Sequence, residues 1–469
     1  MRYELDPDVT RHSMGRVLVG GSPLRLLRLS DRGAAVVDSL QRGERPDDDL
    51  ATRRFLGRLA DLGVATTRSE EGDPTISGPV DLVVPVHDDP SGLTRTLDAA
   101  AAATGVDEVR IVVVDDGSAD AAAVAAAATR AGARLLRHDS ALGPGAARQA
   151  GAAIGSARWI AFVDAGVVPP PGWLAVLGRH LAAGAAAVAP RISSPEGPTA
   201  LERYEASDSP LDLGLRPAPV RPGTRVSYAP TALVVVSREA FERVGGFDPD
   251  LRYGEDVDLV WRLVDAGIVV RYVGDEVVAS HPPRRTWTQL AVQRHRYGTA
   301  AAPLDRRHPG AAAPLAVSRW TLFVWALGLA GRPLTALGVT AGNAVSLHRR
   351  LGLDDGGAAA ARLVVRGHLG GARALLAAAI RPWWPLTALV LLLSRRARRL
   401  APLLLVPPIL DRAGSGSRLD PIRWLAARLL DDVAYSSGVW AGTLRERSPR
   451  ALVPHFAEWP RRETPTRQN

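Results

Sequence analysis

Apolar positions along the chain fall into three regimes. Between residues 79 and about 165, near-continuous apolar runs at 82–86, 109–114, 134–136 and 159–163 alternate with alanine-rich helical stretches at 92–103, 119–131 and 146–154. Unbroken apolar strands are what a parallel sheet with helices on both faces requires. The alternation therefore predicts an α/β domain with right-handed crossovers, in which ligands bind beyond the carboxyl ends of the strands. Functional side chains are expected just after each run. Residues 1–70 carry smaller units: strand-like pieces at 16–19 and 24–29, then helical patterns at 31–40 and 50–62. The stretch EEGDPTISGP at 70–79 is a linker by composition. Beyond 305 the apolar runs 320–330, 333–347, 382–394 and 400–410 are each broken by arginine or proline. None of them reaches about 18 residues, the usual spanning length. The expected division is a small α+β domain at 1–70, an α/β domain at 79–305 and a mainly helical region at 306–469.

Composition narrows the chemistry. All 58 basic side chains are arginine, against 49 acids, for a net charge of +9. They are dispersed and form no basic helix interleaved with aromatics, so nucleic acid is not an expected partner. With no cysteine, disulfides, thiolate chemistry and sulfur-bound metals are excluded, and any metal must rest on carboxylate or imidazole. The start carries Glu4, Asp6 and Asp8 without an apolar core, unlike a secretory signal, and a cytoplasmic protein is expected. Arg395, Arg396, Arg398 and Arg399 follow an apolar stretch containing Trp383 and Trp384. That order fits a helix at the anionic inner face of the cell membrane. A buried helical appendage is the other reading.

Several acids stand where strands should end. The first strand is followed by Pro85, Val86, His87, Asp88 and Asp89, and the second by Asp115, Asp116, Gly117 and Ser118. A nucleotide base and ribose need carboxylate acceptors there. Gly117 permits close backbone approach, and Ser118 is placed to cap the next helix. An acid-Gly-Ser turn alone also marks any capped helix, but its position after the strand VRIVVV sets it apart. Asp164 follows the strand WIAFV, and Glu255 and Asp256 open an amphipathic helix, where a carboxylate pair also serves as a cap.

Residues 80–300 resemble the family-2 glycosyltransferases of the GT-A fold in VVPVHD, VVVDDGSAD, GPGAARQAG, WIAFVDAG and GGFDPDLRYGEDVDLVWRL. The resemblance implies that Pro85, His87, Asp89, Asp115, Asp116, Gly117, Ser118, Arg148 and Asp164 bind a nucleotide-sugar donor. It implies Asp256 as catalytic base, with Glu255 positioning the acceptor. Asp164 and His281 would hold Mg2+ or Mn2+ against the donor diphosphate. Gln293, Arg296 and Tyr297 match the Gln-x-x-Arg-Trp of processive synthases, where the aromatic stacks on acceptor sugar and the arginine attends the diphosphate. Three departures stand out: Gln149 for asparagine, Gly166 for the second metal-binding acid, and Tyr297 for tryptophan.

Over nearly the whole chain, the order of an N-terminal element similar to winged-helix peptide-recognition domains, the catalytic motifs with HPPRRTWTQLAVQRHRYG, and the arginine-interrupted C-terminus resembles the mycofactocin glycosyltransferase family. That resemblance implies inverting transfer of glucose from UDP-glucose onto the peptide-derived redox cofactor mycofactocin or its precursor, building an oligoglucose chain. A family-2 transferase with a lipid-linked or cell-wall acceptor, or a silent nucleotide-sugar binding protein given Gly166, are the alternatives.

Overall fold

The computed structural model describes residues 1–100, 105–353 and 356–456 and resolves the chain into two compact units. The first gathers Met1–Asp6, Ser39–Gln289 and Ser417–Leu419; the second gathers Pro7–Asp38, Leu290–Gly416 and the chain from Asp420 onward.

The first unit is built on an eight-stranded sheet. Its strands lie in the order Ala218–Pro219, Val270–Ser280, Ala187–Ser193, Leu233–Ser237, Trp159–Val163, Pro79–Val86, Glu108–Asp115 and Arg134–Arg137. The strands that open the domain pair in parallel, as do Ala187–Ser193 and Val270–Ser280. Leu233–Ser237 runs antiparallel between its two neighbours. This is the α/β arrangement that the run pattern predicts. Each apolar run is a strand and each alanine-rich stretch a helix: Pro90–Ala100, Ala121–Arg130 and Pro144–Ile154. The central strand Pro79–Val86 is buried along nearly its whole length, and Val80, Leu82 and Val84 pack with Leu93 and Leu97 of the following helix in one core. Phe162 meets Phe241 and Phe247 at ring centroid distances of 5.6 and 5.2 Å. Asp81, only 1% exposed, is satisfied by Ala157 N (2.8 Å) and the Arg238 guanidinium (2.7 Å), which ties the start of the helix Arg238–Arg243 to the central strand.

Residues 1–70 do not stay together. Arg2–Leu5 pairs antiparallel with Ala65–Arg68 in the first unit, where Asp6 receives Arg216 at 2.9 Å and Arg68 reaches Asp275 at 2.5 Å. The three-stranded meander Thr10–His12, Val17–Gly20 and Arg25–Arg28 belongs to the second unit. There Val17 and Val19 are buried against Leu347, Leu351, Leu353 and Ala360. The hairpin's apolar face is too small to bury itself, and helices far along the chain cover it.

The remainder of the second unit is mainly helical, with Arg319–Leu329, Pro333–Leu351, Gly356–Ile380, Trp384–Leu393, Arg395–Leu400, Val406–Ser415 and Pro421–Glu446 beside one short parallel pair, Ala316–Val317 with His455–Phe456. A buried ion network ties it. Arg294, 2% exposed, donates to Asp431 at 2.6 Å, and Arg381 donates to Asp431 and Asp432 at 3.1 and 2.5 Å while lying over the Tyr435 ring. One stretch that the reading of apolar runs passes over, Gly356–Ile380, is a continuous helix of 25 residues. By length and composition it suffices to cross a membrane, although Arg362, Arg366 and Arg373 interrupt it.

Candidate active site

The chemistry-bearing residues of the first unit lie at the carboxyl ends of its strands. Asp115 ends the strand Glu108–Asp115 and is 1% exposed; its Oδ1 accepts from Ser118 N at 2.9 Å and its Oδ2 from Arg137. Asp116 Oδ1 lies 2.8 Å from His138 Nδ1 and accepts from Leu142 N at 2.9 Å, while Oδ2 accepts from Gly143 N at 2.8 Å. Asp116 thus shapes the turn that leads into the helix Pro144–Ile154, and Asp115 the turn at Ser118. Gly117 is required for this: its φ is +72°, and a Cβ there would stand 2.7 Å from the Ser140 carbonyl carbon.

The first strand's loop joins the same place. His87 Nδ1 lies 2.9 Å from the Asp116 carbonyl oxygen, and Asp88 N donates to Ser118 Oγ at 3.0 Å. Ser118 therefore braces two loops; the cap expected of it falls to Asp120, whose carboxylate accepts from Ala123 N. Asp89 likewise caps its own helix, accepting from Gly92 N at 2.8 Å. Pro85 sits at the end of the same strand.

Arg148 joins the remaining acids. It is 3% exposed and carries two bonds to Asp164 Oδ1, from Nη2 at 2.5 Å and Nε at 3.2 Å, and one to Glu255 Oε1 from Nη1 at 2.9 Å. Its guanidinium also lies 5.6 Å from the Phe247 ring centroid, and the neighbouring Gln149 Oε1 accepts from Phe247 N. Gly145 is the first helical turn's point of closest approach to Glu255: a Cβ there would meet Glu255 Cγ at 3.0 Å. One buried cation thereby binds a helix start, a strand end and the Gly254-capped helix Glu255–Asp265 into a single cluster.

Electrostatics follow from this packing. Burial raises the carboxyl group of Glu255, and the Asp256 charge adds to it against the pull of Arg148. Burial also raises Asp256, opposed by Arg148 and reinforced by Asp164. Burial lowers the Arg148 guanidinium's affinity for its proton, but Asp164 and Glu255 more than reverse that, so it stays charged. His281 is held below the ordinary imidazole range by burial and by Arg284, with Asp164 pulling the other way. An imidazole kept neutral is a competent metal ligand.

For a divalent cation the donor set is one carboxylate and one imidazole. Both bonds from Arg148 to Asp164 fall on its Oδ1, and among the described residues no three His, Asp or Glu side chains form a cage. Gly166, with φ +95°, supplies no second acid, and a Cβ there would lie 3.7 Å from Asp89 Oδ2. The residues suit a hard ion that takes most of its shell from diphosphate and water, as Mg2+ does.

Gln293, Arg296 and Tyr297 lie on the helix Trp287–Thr299 and cluster with the second unit. Gln293 Nε2 donates to Tyr297 Oη at 3.0 Å, and Gln293 Oε1 accepts from Arg294 at 2.8 Å. The residues that the motif reading omits are Arg137 and His138, which hold the two strand-end acids, and Arg294, which orients Gln293. Only RLLRH, a strand that ends in Arg137 with His138 directly after it, hinted at the first two.

Residues 81–245 match Glycosyl transferase family 2. Over 461 residues, 94% of this chain and 95% of the relative, the sequence is 36% identical to the pre-mycofactocin glycosyltransferase of Mycobacterium tuberculosis. The chain belongs to the pre-mycofactocin glycosyltransferase family. This glycosyltransferase is also 27% identical over 216 residues to a glycosyltransferase of Haloferax volcanii, covering 44% of this chain and 67% of that one. Among solved structures, a mannosyltransferase from Pyrobaculum calidifontis in complex with GDP-Man and Mn2+ is 17% identical, with TM-score 0.40 over 75% of this chain and 90% of that chain. As a family-2 glycosyltransferase, the chain is an enzyme of glycosyl transfer, and its strand-end cluster is the candidate active site.

Proposed function

We propose that the enzyme transfers glucose from UDP-glucose onto pre-mycofactocin with inversion at the anomeric carbon, and repeats the addition to build an oligoglucose chain. Two things support this reading: the relative of the same length named a pre-mycofactocin glycosyltransferase, and the gathering of Asp164, Glu255 and Asp256 about Arg148. The single observation that carries it is the Arg148 tie, because it draws Asp164 together with Glu255, the chain neighbour of the proposed base Asp256.

In this reading Asp115, Asp116 and His87 frame the nucleotide base and ribose, with Pro85, Gly117 and Ser118 fixing the loop, and Asp89 lines the cleft. Asp256 accepts the proton of the acceptor hydroxyl. The hydroxyl oxygen forms its bond to the anomeric carbon as the bond to UDP breaks on the opposite face, so one displacement inverts the centre. The raised proton affinity of Asp256 suits a base working near neutral pH. Glu255 orients the acceptor. Asp164 and His281 would hold Mg2+ or Mn2+, which supplies charge neutralisation at the departing diphosphate. For Gln293, Arg296 and Tyr297, which belong to the second unit, support for a donor or acceptor role rests on the motif match alone.

The test is mass spectrometry of the purified full chain with UDP-glucose and pre-mycofactocin, with lipid-linked acceptors in parallel. Products heavier by one and then several hexoses on pre-mycofactocin are expected. Transfer to the lipid acceptors alone, or from another nucleotide sugar alone, would overturn the reading.

A further inference from the structure

The second unit leaves a long apolar segment largely exposed. The helix Trp384–Leu393, of sequence WPLTALVLLL, contains no buried residue. It is nonetheless fixed in place at its start: Trp383 Nε1 donates to the Leu452 carbonyl at 2.8 Å and Thr387 Oγ1 to the Ala379 carbonyl at 2.7 Å. Leu392 and Leu393 are 76% and 78% exposed. After it, Leu400, Leu403, Leu405, Ile409 and Leu410 are exposed as well. An apolar surface of this extent is not left facing water without a partner.

The charge beside it identifies that partner. Arg395, Arg396, Arg398 and Arg399 stand between the two apolar stretches, and among the described residues none is paired with a carboxylate. Arg398 instead donates to the Leu391 and Leu392 carbonyls at 3.0 and 2.9 Å, closing the end of the apolar helix. Elsewhere in the same unit the buried arginines Arg294 and Arg381 are matched to Asp431 and Asp432. A second copy of the chain seated on this patch would bring two such runs together, which like charges oppose. Ten helical residues rise about 15 Å, half of the roughly 30 Å hydrocarbon core, so the segment is too short to span. Exposed leucines flanked by unpaired guanidiniums and a tryptophan match a helix lying in the headgroup region, apolar side toward the acyl chains and arginines on lipid phosphates.

We propose that residues 384–410 seat the second unit on an anionic bilayer surface, as an in-plane anchor. The inference stands apart from the choice of donor and acceptor, since its readout is lipid binding and not transfer.

Flotation of the purified full chain with phosphatidylcholine vesicles and with phosphatidylcholine–phosphatidylglycerol vesicles tests it. The chain is expected to float with the mixed vesicles at least tenfold more than with pure phosphatidylcholine, and to be released by high salt. Leu392→Asp with Leu393→Asp should abolish flotation with both. Replacing Arg395, Arg396, Arg398 and Arg399 by Gln should remove the preference for phosphatidylglycerol. Circular dichroism and thermal unfolding of both variants are expected to match the parent, because every changed side chain is exposed. A parent that floats with neither vesicle, leucine variants that float as the parent does, or a self-associated parent that Leu392→Asp with Leu393→Asp turns into monomer by light scattering would each overturn the proposal.

Discussion

Replacing Arg148 with methionine removes the one cation shared by Asp164 and Glu255 while keeping most of the buried volume. Arg148 and Glu255 side chains are 4% and 8% exposed, and Asp164 is 29% exposed. Deleting one member of a buried pair leaves an uncompensated charge, at a cost of about 3–5 kcal/mol. Solvent at Asp164 places the loss near the lower figure, about 3 kcal/mol. In a unit of this size that lowers Tm by roughly 6–12 °C. The sign with pH is fixed by Glu255 and Asp256. Both have folded-state proton affinities above the unfolded value, and the variant loses the attraction that restrained them. Stability lent by such groups is present at low pH and disappears as pH rises through the folded-state pKa. The Tm loss should therefore be larger at about pH 8 than at about pH 5. Arg148→Lys should fall between parent and methionine variant, since one ammonium cannot reproduce the fork that spans two carboxylates. Scanning fluorimetry across pH reads all three. A methionine variant within about 2 °C of the parent at both pH values would refute this reasoning.

Other consequences follow from the same geometry. The acid limb of the turnover profile should lie above the ordinary carboxylate range, because Asp256 must be unprotonated to act and burial raises it; a limb near pH 4 in a rate–pH profile would contradict this. Gly117→Ala forces a side chain into φ +72° and onto the Ser140 backbone, and should weaken UDP binding at least tenfold by calorimetry, with a stability loss of about 1–3 kcal/mol. Asp431→Asn should destabilise the second unit by about 3 kcal/mol. Burial raises the Asp431 carboxyl, yet Arg294 and Arg381 outweigh it and hold it below its usual value. Its stability contribution is thus present at neutral pH and lost as pH falls through that lowered value, so the variant's deficit in urea unfolding should shrink toward acid.

The elements of the catalytic unit are legible in the sequence because its strands are buried on both faces and so read as unbroken apolar runs: WIAFV is the strand Trp159–Val163 without adjustment. Local motifs also locate the acids, since each follows a strand or opens a helix. What one dimension hides is long-range pairing. Arg148 reads as a donor contact from its motif, and its bonds to Asp164 and Glu255, 16 and 107 residues away, are not visible there. Ser118 reads as a cap because serine commonly is one, but Asp120 lies closer to the helix start and takes that place. The small N-terminal domain expected from periodicity is shared between two units, because its hairpin's apolar face finds cover on helices beyond residue 333. Toward the sheet's far end the strand Val270–Ser280 shows no unbroken apolar run, because its partly polar residues pair with Ala187–Ser193 across a register shift.

The most direct measurement is Asp256→Asn assayed for transfer from UDP-glucose alongside UDP affinity by calorimetry. Transfer is expected to fall by at least a thousandfold, with UDP bound as tightly as by the parent. Near-normal turnover in the variant would remove Asp256 from the base role and, with it, the claim that the acids gathered about Arg148 form the catalytic centre.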